Sequence, residues 1–196
     1  MTAAYAWLVG RWQWPYAAAF SACILLALLP IVWSAAGFAA MLVYVQLPAY
    51  LLHQLEEHGD DRFRRDVNGL LGAEVLSRPA TFAINLLCVW VAMLAAFGLA
   101  YYVNPALGLI AVYLTGVNAI THVGVAVATR SYNPGLATAV GLFVPLSLAG
   151  AIVVNRDHTV SAGAQLLALG VAVGGHLAIV AFVARRRRVA MAPSAP

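Results

Sequence analysis

The sequence predicts an all-α fold, a polytopic membrane helix bundle with about six transmembrane helices. Of its 196 residues, 63% are hydrophobic and only 9% are charged, whereas soluble domains carry roughly 25% charged residues. The mean hydropathy of +0.87 agrees with this imbalance. We therefore expect one transmembrane domain over residues 1–190, embedded in a lipid bilayer, and a disordered tail at 191–196.

Runs of about 20 apolar residues are needed to cross a hydrocarbon core ~30 Å thick, and the chain contains six such runs. Breaks rich in glycine, proline and asparagine separate them, and the short connections favour antiparallel neighbours. The first run also fits a cleaved signal sequence, although its length and aromatic flanks favour a retained span. The predicted spans are residues 15–36, 38–57, 79–102, 105–129, 134–154 and 160–184, with a cytoplasmic loop at 58–78.

The placement of the basic residues predicts the orientation of the bundle. All 11 of them are arginine, and all but Arg156 fall on the side that holds both termini and the loop at 58–78. Because cytoplasmic loops carry the excess of basic residues, both termini should be cytoplasmic. The absence of lysine excludes a retinal-type Schiff base, a phosphate-loop NTPase and a lysine-activated nucleophile.

Several polar side chains within the apolar runs share one predicted depth. Counted from the cytoplasmic helix ends at about 1.5 Å per residue, four helices place a histidine or a carboxamide roughly 10 to 15 Å inside the membrane. Intramembrane polar groups are costly, so this agreement indicates a functional level in the bundle. The residues are His53, Asn85, Asn118, His122 and His176.

Helical phase brings part of the segment "HQLEEH" (53–58) onto one face. His53 and Glu57 are separated by about 40° around a helix, and Glu56 lies about 60° to the other side of His53. His58 is predicted to point about 140° away from His53 and to lie nearer the solvent. Asn118 and His122 form a second pair with i, i+4 spacing.

Imidazole and carboxylate groups together form a nitrogen and oxygen ligand set that suits Zn²⁺, Fe or Mn. The predicted metal ligands are His53, Glu56, Glu57, His122 and His176. Without a metal, His53, Glu56, Glu57 and His122 would serve as catalytic acids and bases. Asn85 and Asn118 would contact the substrate or orient the ligands.

Each of these features also has a simpler interpretation. Glu56 and Glu57 fit the solvated end of a helix, and His176 fits a hydrogen-bonded packing residue. The two asparagines fit contacts between helices. The segment "SYNPG" (131–135) predicts a helix start with Asn133 as cap and Pro134 in the first position. Residues 66–76 fit either a short interfacial helix or a lid over the cytoplasmic end of the bundle.

Three segments resemble the HXXEE domain family of small bacterial membrane proteins: "HQLEE" at 53–57, "NAITH" at 118–122 and "RSYNPGLAT" at 130–138. The resemblance covers residues 38–155. It implies a bacterial inner-membrane protein of uncharacterised function and site roles for His53, Glu56, Glu57, Asn118 and His122. It also identifies four family positions of unknown role: Arg130, Tyr132, Pro134 and Gly135. Of these, Arg130 and Tyr132 would contact the substrate or the ligands.

The preferred functional hypothesis is an intramembrane enzyme with a His/Glu site near the cytoplasmic face, acting on an amphiphilic small molecule by metal-dependent or acid-base chemistry. A transporter or channel subunit with a proton or metal pathway is the second hypothesis. A structural accessory subunit, in which the polar residues only specify packing, is the third. No nucleic-acid partner is expected, and the sequence predicts neither the substrate nor the oligomeric state.

Overall fold

The structure, a computed structural model, describes residues 2–192, so residues 193–196 of the predicted disordered tail lie outside the described residues. The described part is helical with short turns and contains no strand. A short helical segment at residues 3–10 precedes the main helices. We label these α1 (Trp14–Ala27), α2 (Leu29–Tyr44), α3 (Gln46–His58), α4 (Arg62–Leu71), α5 (Arg78–Tyr102), α6 (Pro105–Thr129), α7 (Leu136–Asp157) and α8 (Ala162–Ala190).

The predicted helix bundle is confirmed, and its apolar helices indicate a membrane protein. Within residues 2–192, five helical stretches are long and apolar enough to cross a bilayer, and the first of them, Leu29–Leu71, includes α2, α3 and α4. Gly37 interrupts α2 with φ 84° and ψ 173°, at the break predicted between the first two spans. The count of six spans, the cytoplasmic termini and the bacterial inner membrane stay predictions.

Helix α3 lies at the centre of the bundle, where it packs against α1, α5, α6 and α7. Ten of its 13 residues are buried. Helix α8 lies at the periphery, mainly against α6, and buries only Ala168 and Ala172. Polar side chains on α3 are therefore enclosed by protein, whereas most of α8 faces the surroundings.

The connection between α6 and α7 differs from its predicted form. Helix α7 begins at Leu136 with Gly135 as its N-terminal flanking residue, so the prediction of Asn133 as cap and Pro134 as first residue is wrong. Gly135 has φ 99°, which a residue with a side chain rarely adopts, and Asn133 uses its side chain elsewhere. The connection thereby folds back towards α3.

The turn after α3 is also unusual. Asp60 and Asp61 both adopt left-handed backbone conformations, with φ 55° and 61°, before α4 begins at Arg62. Gly72, at φ 66°, ends α4, and the side chain of Asn68 bonds the backbone of the following residues. Part of the predicted helix over residues 66–76 is therefore present, while its place at a membrane interface stays a prediction.

Candidate metal centre

Three predicted site residues meet in the interior of the bundle. His53 and Glu57 project from α3 and His122 from α6, and one potential ligand atom from each lies within 4.8 Å of the others. Nε2 of His53 is 3.4 Å from Oε2 of Glu57, and Nε2 of His122 is 3.6 Å from Oε1 of Glu57. All three are buried, with exposed fractions of 0%, 7% and 6% for His53, Glu57 and His122.

These separations suit a metal site. Ligand atoms about 2.1 Å from a tetrahedral ion lie about 3.4 Å from one another. The two nitrogen-to-oxygen distances of 3.4 and 3.6 Å match that spacing. The rings of His53 and His122 are also close, with centroids 4.8 Å apart. The histidines thus lie on the same side of the bundle, as the metal hypothesis requires.

A side chain on α7 fixes the orientation of His53. Nδ1 of His53 is 2.8 Å from Oγ1 of Thr138, and the Thr138 hydroxyl donates a hydrogen bond to the carboxylate of Glu56. Since the hydroxyl hydrogen is directed to Glu56, Thr138 accepts from His53, and Nδ1 carries the proton. In the neutral ring, Nε2 therefore presents its lone pair to Glu57.

His122 is oriented in the same way by a different residue. Its Nδ1 lies 2.7 Å from Oδ1 of Asn133, and Nδ2 of Asn133 donates to the backbone carbonyl of His122 at 3.0 Å. This pair of bonds fixes the amide of Asn133, so its oxygen accepts from Nδ1. The lone pair of Nε2 in the neutral ring faces the cluster. A ligand histidine commonly has its other nitrogen bonded in this manner.

One buried atom of the cluster has no hydrogen-bond partner. Nε2 of His53 is enclosed, yet its contact with Glu57 does not have hydrogen-bond geometry. Buried polar atoms without a partner are rare in folded proteins. A cation among the three side chains would satisfy this nitrogen, the second imidazole and the carboxylate together.

Gly135 closes the cluster on the side of the α6–α7 connection. A Cβ atom at this position would lie 2.6 Å from Cε1 of both His53 and His122. The backbone therefore approaches the two rings at a distance that only glycine permits. Its positive φ imposes the same restriction independently.

Glu56 lies beside the cluster and makes a different set of contacts. Its oxygens accept hydrogen bonds from the backbone N–H groups of Ala137 at 3.0 Å and Thr138 at 2.8 Å, in the first turn of α7. The Tyr132 hydroxyl also donates to it, and burial together with this bond raises the pKa of Tyr132 to about 12. A carboxylate at a helix N-terminus is stabilised by the helix dipole. Glu56 thereby attaches α7 to α3.

The central part of the chain matches a known protein family. The sequence profile of a family described as "Protein of unknown function with HXXEE motif" matches residues 44–150, which is more than half of the chain. The chain belongs to the HXXEE family. No curated protein and no solved structure matches it. The matched region includes α3 to α6, most of α7 and every residue of the cluster.

The two glutamates of the HXXEE motif have separate environments. Glu57 faces the imidazoles of His53 and His122, while both oxygens of Glu56 are bonded to the 132–138 segment. The structure thus brings together His53, Glu57 and His122 but does not bring Glu56 among them. The predicted ligand or base role of Glu56 stays a prediction.

The position of His58 contradicts its predicted orientation. It is only 2% exposed, and its Nε2 lies 3.1 Å from Oε2 of Glu57, so the expectation that it turns away towards solvent is wrong. Helical phase fails because α3 ends at His58, whose ring packs 4.9 Å from that of Trp14. The backbone carbonyl of His58 is held by the indole of Trp12 at 2.8 Å.

A chain of hydrogen bonds reaches His58 from α5. The indole N–H of Trp90 donates to Oε1 of Gln54 at 2.7 Å, and Nε2 of Gln54 donates to Oδ1 of Asn85 at 2.8 Å. Because an indole only donates, this order fixes both amides. Nδ2 of Asn85 then faces Nε2 of His58 at 3.2 Å. Asn85 therefore contacts His58, and its predicted orienting role stays a prediction.

The remaining predicted residues are His176, Asn118 and Arg130. His176 is on peripheral α8, and its Nδ1 bonds the carbonyl of Ala172 in its own helix, so the structure does not bring it to the cluster. Oδ1 of Asn118 is buried without a hydrogen-bond partner in the described chain. Arg130 is exposed and ends α6 in a left-handed conformation.

Sequence reasoning missed two residues that orient the histidines. Thr138 and Asn133 both fall within the segment "RSYNPGLAT", but the sequence predicts no site role for either of them. Asn133 was interpreted as a helix cap, and a threonine in an apolar helix has no distinctive pattern. One sequence signal could have identified them. Both residues lie in a family segment that also contains Tyr132 and Gly135, which contact Glu56 and the histidine rings.

Proposed function

We propose that this protein is an intramembrane metal-dependent enzyme in which His53, Glu57 and His122 hold one divalent cation, Zn²⁺, Fe or Mn. The observation that carries the proposal is the convergence of these three buried side chains, with ligand-like spacing and one unpartnered nitrogen. Its substrate would be a small amphiphilic molecule that reaches the site from the membrane near the predicted cytoplasmic face.

The number of ligands supports catalysis over a purely structural ion. Structural zinc sites are usually closed by four protein ligands, whereas catalytic sites keep three and leave a position for water or substrate. The cluster provides three protein ligands, which is the number typical of a catalytic site. A cation there would act as a Lewis acid on a substrate oxygen. The orienting bonds from Thr138 and Asn133 would keep both imidazoles ready for it.

The other residues have supporting roles in this proposal. Glu56 would set the proton position of His53 through Thr138, and Tyr132 would stabilise Glu56 in its ionised form. Nε2 of His58, 3.1 Å from Oε2 of Glu57, would be the nearest further base. The same residues suit acid-base chemistry if no metal binds.

The transporter hypothesis requires polar groups in the opposite half of the membrane as well. Gln46, one of the few there, is fully buried; its amide nitrogen bonds the carbonyls of Leu42 and Leu146, and its amide oxygen has no hydrogen-bond partner within the described residues. A side chain held in this way favours helix packing over a pathway. The enzyme hypothesis needs no such pathway, and we prefer it for this reason.

The test is a search for metal-dependent conversion. Detergent-purified protein is treated with a chelator, reloaded with Zn²⁺, Fe²⁺ or Mn²⁺, and incubated with an extract of membrane lipids and amphiphilic metabolites. Mass spectrometry should show one compound consumed and one formed, only when metal is restored. Glu57→Gln should abolish the conversion, whereas the matched histidine control His176→Ala should retain it.

Two outcomes would contradict the proposal in different ways. If conversion continues without metal, the reaction is not metal-dependent, and acid-base chemistry by the same residues is the remaining explanation. Metal binding with no conversion of any compound would argue against an enzyme. In that case, uptake of the metal into liposomes containing the protein would favour the transporter hypothesis instead.

A further inference from the structure

A second site lies at the end of the bundle where α3 terminates. It is an open cavity of about 310 Å³, formed where residues 11–13, the start of α1, the turn after α3 and the start of α5 meet. This position is the predicted cytoplasmic boundary of the membrane. The lining residues are Arg11, Trp12, Gln13, Tyr16, Asp60, Asp61, Arg65 and Arg78.

The backbone around this cavity is unusual. Trp12, Asp60 and Asp61 all have positive φ, at 58°, 55° and 61°. Only one other non-glycine residue within residues 2–192, Arg130, shares this feature. Left-handed conformations at such residues cost free energy and concentrate at ligand sites, where the surrounding structure maintains them. Three of these four strained residues therefore line the cavity.

The three arginines leave hydrogen-bond donors free in the cavity. Arg11 has no side-chain hydrogen bond within the described residues, and Arg65 directs Nε and Nη2 to the carbonyls of Asp61 and Asp60. Arg78 directs Nη1 to the carbonyl of Gly10 and Nε to Asp61. The backbone bonds hold the guanidinium groups of Arg65 and Arg78 in place and leave one Nη group of each unbonded.

The two aspartates do not cancel this positive charge. Arg64, which does not line the cavity, binds the carboxylate of Asp61 through Nε at 2.8 Å and Nη2 at 2.6 Å. The carboxylate of Asp60 accepts from the Tyr16 hydroxyl at 2.9 Å. With Asp61 neutralised by Arg64, the arginines outnumber the remaining carboxylate. Guanidinium groups in this arrangement suit the oxygens of a phosphate group.

An apolar surface continues from the cavity along α1. Tyr16 lines the cavity, and Phe20 and Ile24 follow at intervals of four residues, so all three lie on one face of the helix. Their exposed fractions are 45%, 70% and 52%. This face runs from the charged cavity towards the predicted membrane interior, and its two turns of helix are long enough to contact an acyl chain.

We propose that the Arg11–Arg65–Arg78 cavity binds the phosphate group of an anionic membrane lipid, whose acyl chain lies along the Tyr16–Phe20–Ile24 face of α1. The cavity supplies donors for the headgroup, and the helix face supplies apolar contact for the tail. The proposal does not depend on the metal centre, although Trp12 connects the two sites through its bond to the His58 carbonyl.

The test is calorimetric titration of the detergent-purified protein with dihexanoyl phosphatidylglycerol. Dihexanoylglycerol, which lacks the phosphate, and inorganic phosphate, which lacks the chains, are titrated separately. The lipid should bind more tightly than either part alone. Arg11→Gln and Arg65→Gln should each weaken lipid binding by about 10-fold, because each loses a charge-assisted hydrogen bond to phosphate.

Two further variants make the result specific. Arg186→Gln removes a positive charge from the exposed end of α8 and should leave the affinity unchanged. Asp60→Asn keeps an acceptor for Tyr16 but removes the carboxylate charge, so it should strengthen lipid binding. Equal lipid affinity in wild type, Arg11→Gln and Arg65→Gln would overturn the proposal that this cavity is the binding site. Equal affinity for inorganic phosphate and for the lipid would overturn the lipid assignment in favour of a soluble anion.

Discussion

Helices α3 and α8 carry histidines at the same predicted depth, His53 and His176, but only His53 belongs to the candidate cluster. His53 is fully buried, and a side chain of another helix, Thr138, bonds its Nδ1. His176 bonds a carbonyl of its own helix. A bond within one helix needs no neighbour, whereas a bond between helices fixes the ring relative to the rest of the bundle. Depth alone therefore does not define the site.

The largest expected effect is on Zn²⁺ affinity, and it is measured by comparing two histidine variants. His122→Ala should weaken Zn²⁺ affinity by more than about 100-fold, because loss of a ligand exceeds the roughly 10- to 100-fold effect of losing a residue that orients one. His176→Ala should leave the affinity unchanged. Titration of chelator-treated protein with Zn²⁺ against a competing indicator measures both. Equal losses would place His176 in the site and remove the distinction between the two helices.

A smaller effect is expected from the residue that orients His53. Thr138→Val keeps the shape of the side chain but removes the acceptor for Nδ1, so Zn²⁺ affinity should fall about 10- to 100-fold. Thr129→Val is the matched control, because Thr129 lies at the exposed end of α6 and bonds only the carbonyl of Val125 and the hydroxyl of Ser131. An unchanged affinity in Thr138→Val would show that the bond from α7 does not orient the ligand.

The close approach of Gly135, in the α6–α7 connection, to the two imidazole rings can be tested by measuring the stability of variants. Gly135→Ala should lower the free energy of unfolding by about 1 to 3 kcal/mol, since it combines a positive φ with contacts to both imidazole rings. Gly141→Ala, where a Cβ would have no neighbour within 4 Å, should have no comparable cost. Thermal unfolding in detergent without metal measures the difference. Equal midpoints for the two variants would contradict the close packing.

The smallest expected effect concerns the attachment of Glu56. Tyr132→Phe removes one donor to this carboxylate at a half-exposed position, so the free energy of unfolding should fall by only about 1 kcal/mol. Tyr102→Phe is the control, because Tyr102 is 83% exposed and has no hydrogen bond in the described part of the chain. A loss well above that of an ordinary hydrogen bond would indicate that Tyr132 has a role beyond holding Glu56.

Much of the fold follows from the sequence because membrane helices are long apolar runs. The starts of α5 and α6 agree closely with the predictions, since Pro79 and Pro105 mark them. Convergence of His53, Glu57 and His122 was also predictable from depth and helical spacing. These features depend only on the position of a residue along its helix, and that position can be counted directly in the sequence.

What the sequence did not reveal depends on how helices rotate and pack. His58 was assigned to solvent because helical phase was extended to the last residue of α3, where the chain leaves the helix and the ring packs on Trp14. His176 was included because depth does not indicate whether a helix is central or peripheral. Asn133 was interpreted as a cap because local turn patterns do not show that its amide bonds His122.

The most direct test of the account is the metal content of the purified protein. Cells are grown with ample Zn, Fe and Mn, and elemental analysis is carried out on wild type, His53→Ala and His176→Ala in detergent. The account predicts one metal ion per chain in wild type and in His176→Ala, and none in His53→Ala. Wild-type protein without metal, or metal retained in His53→Ala, would contradict it.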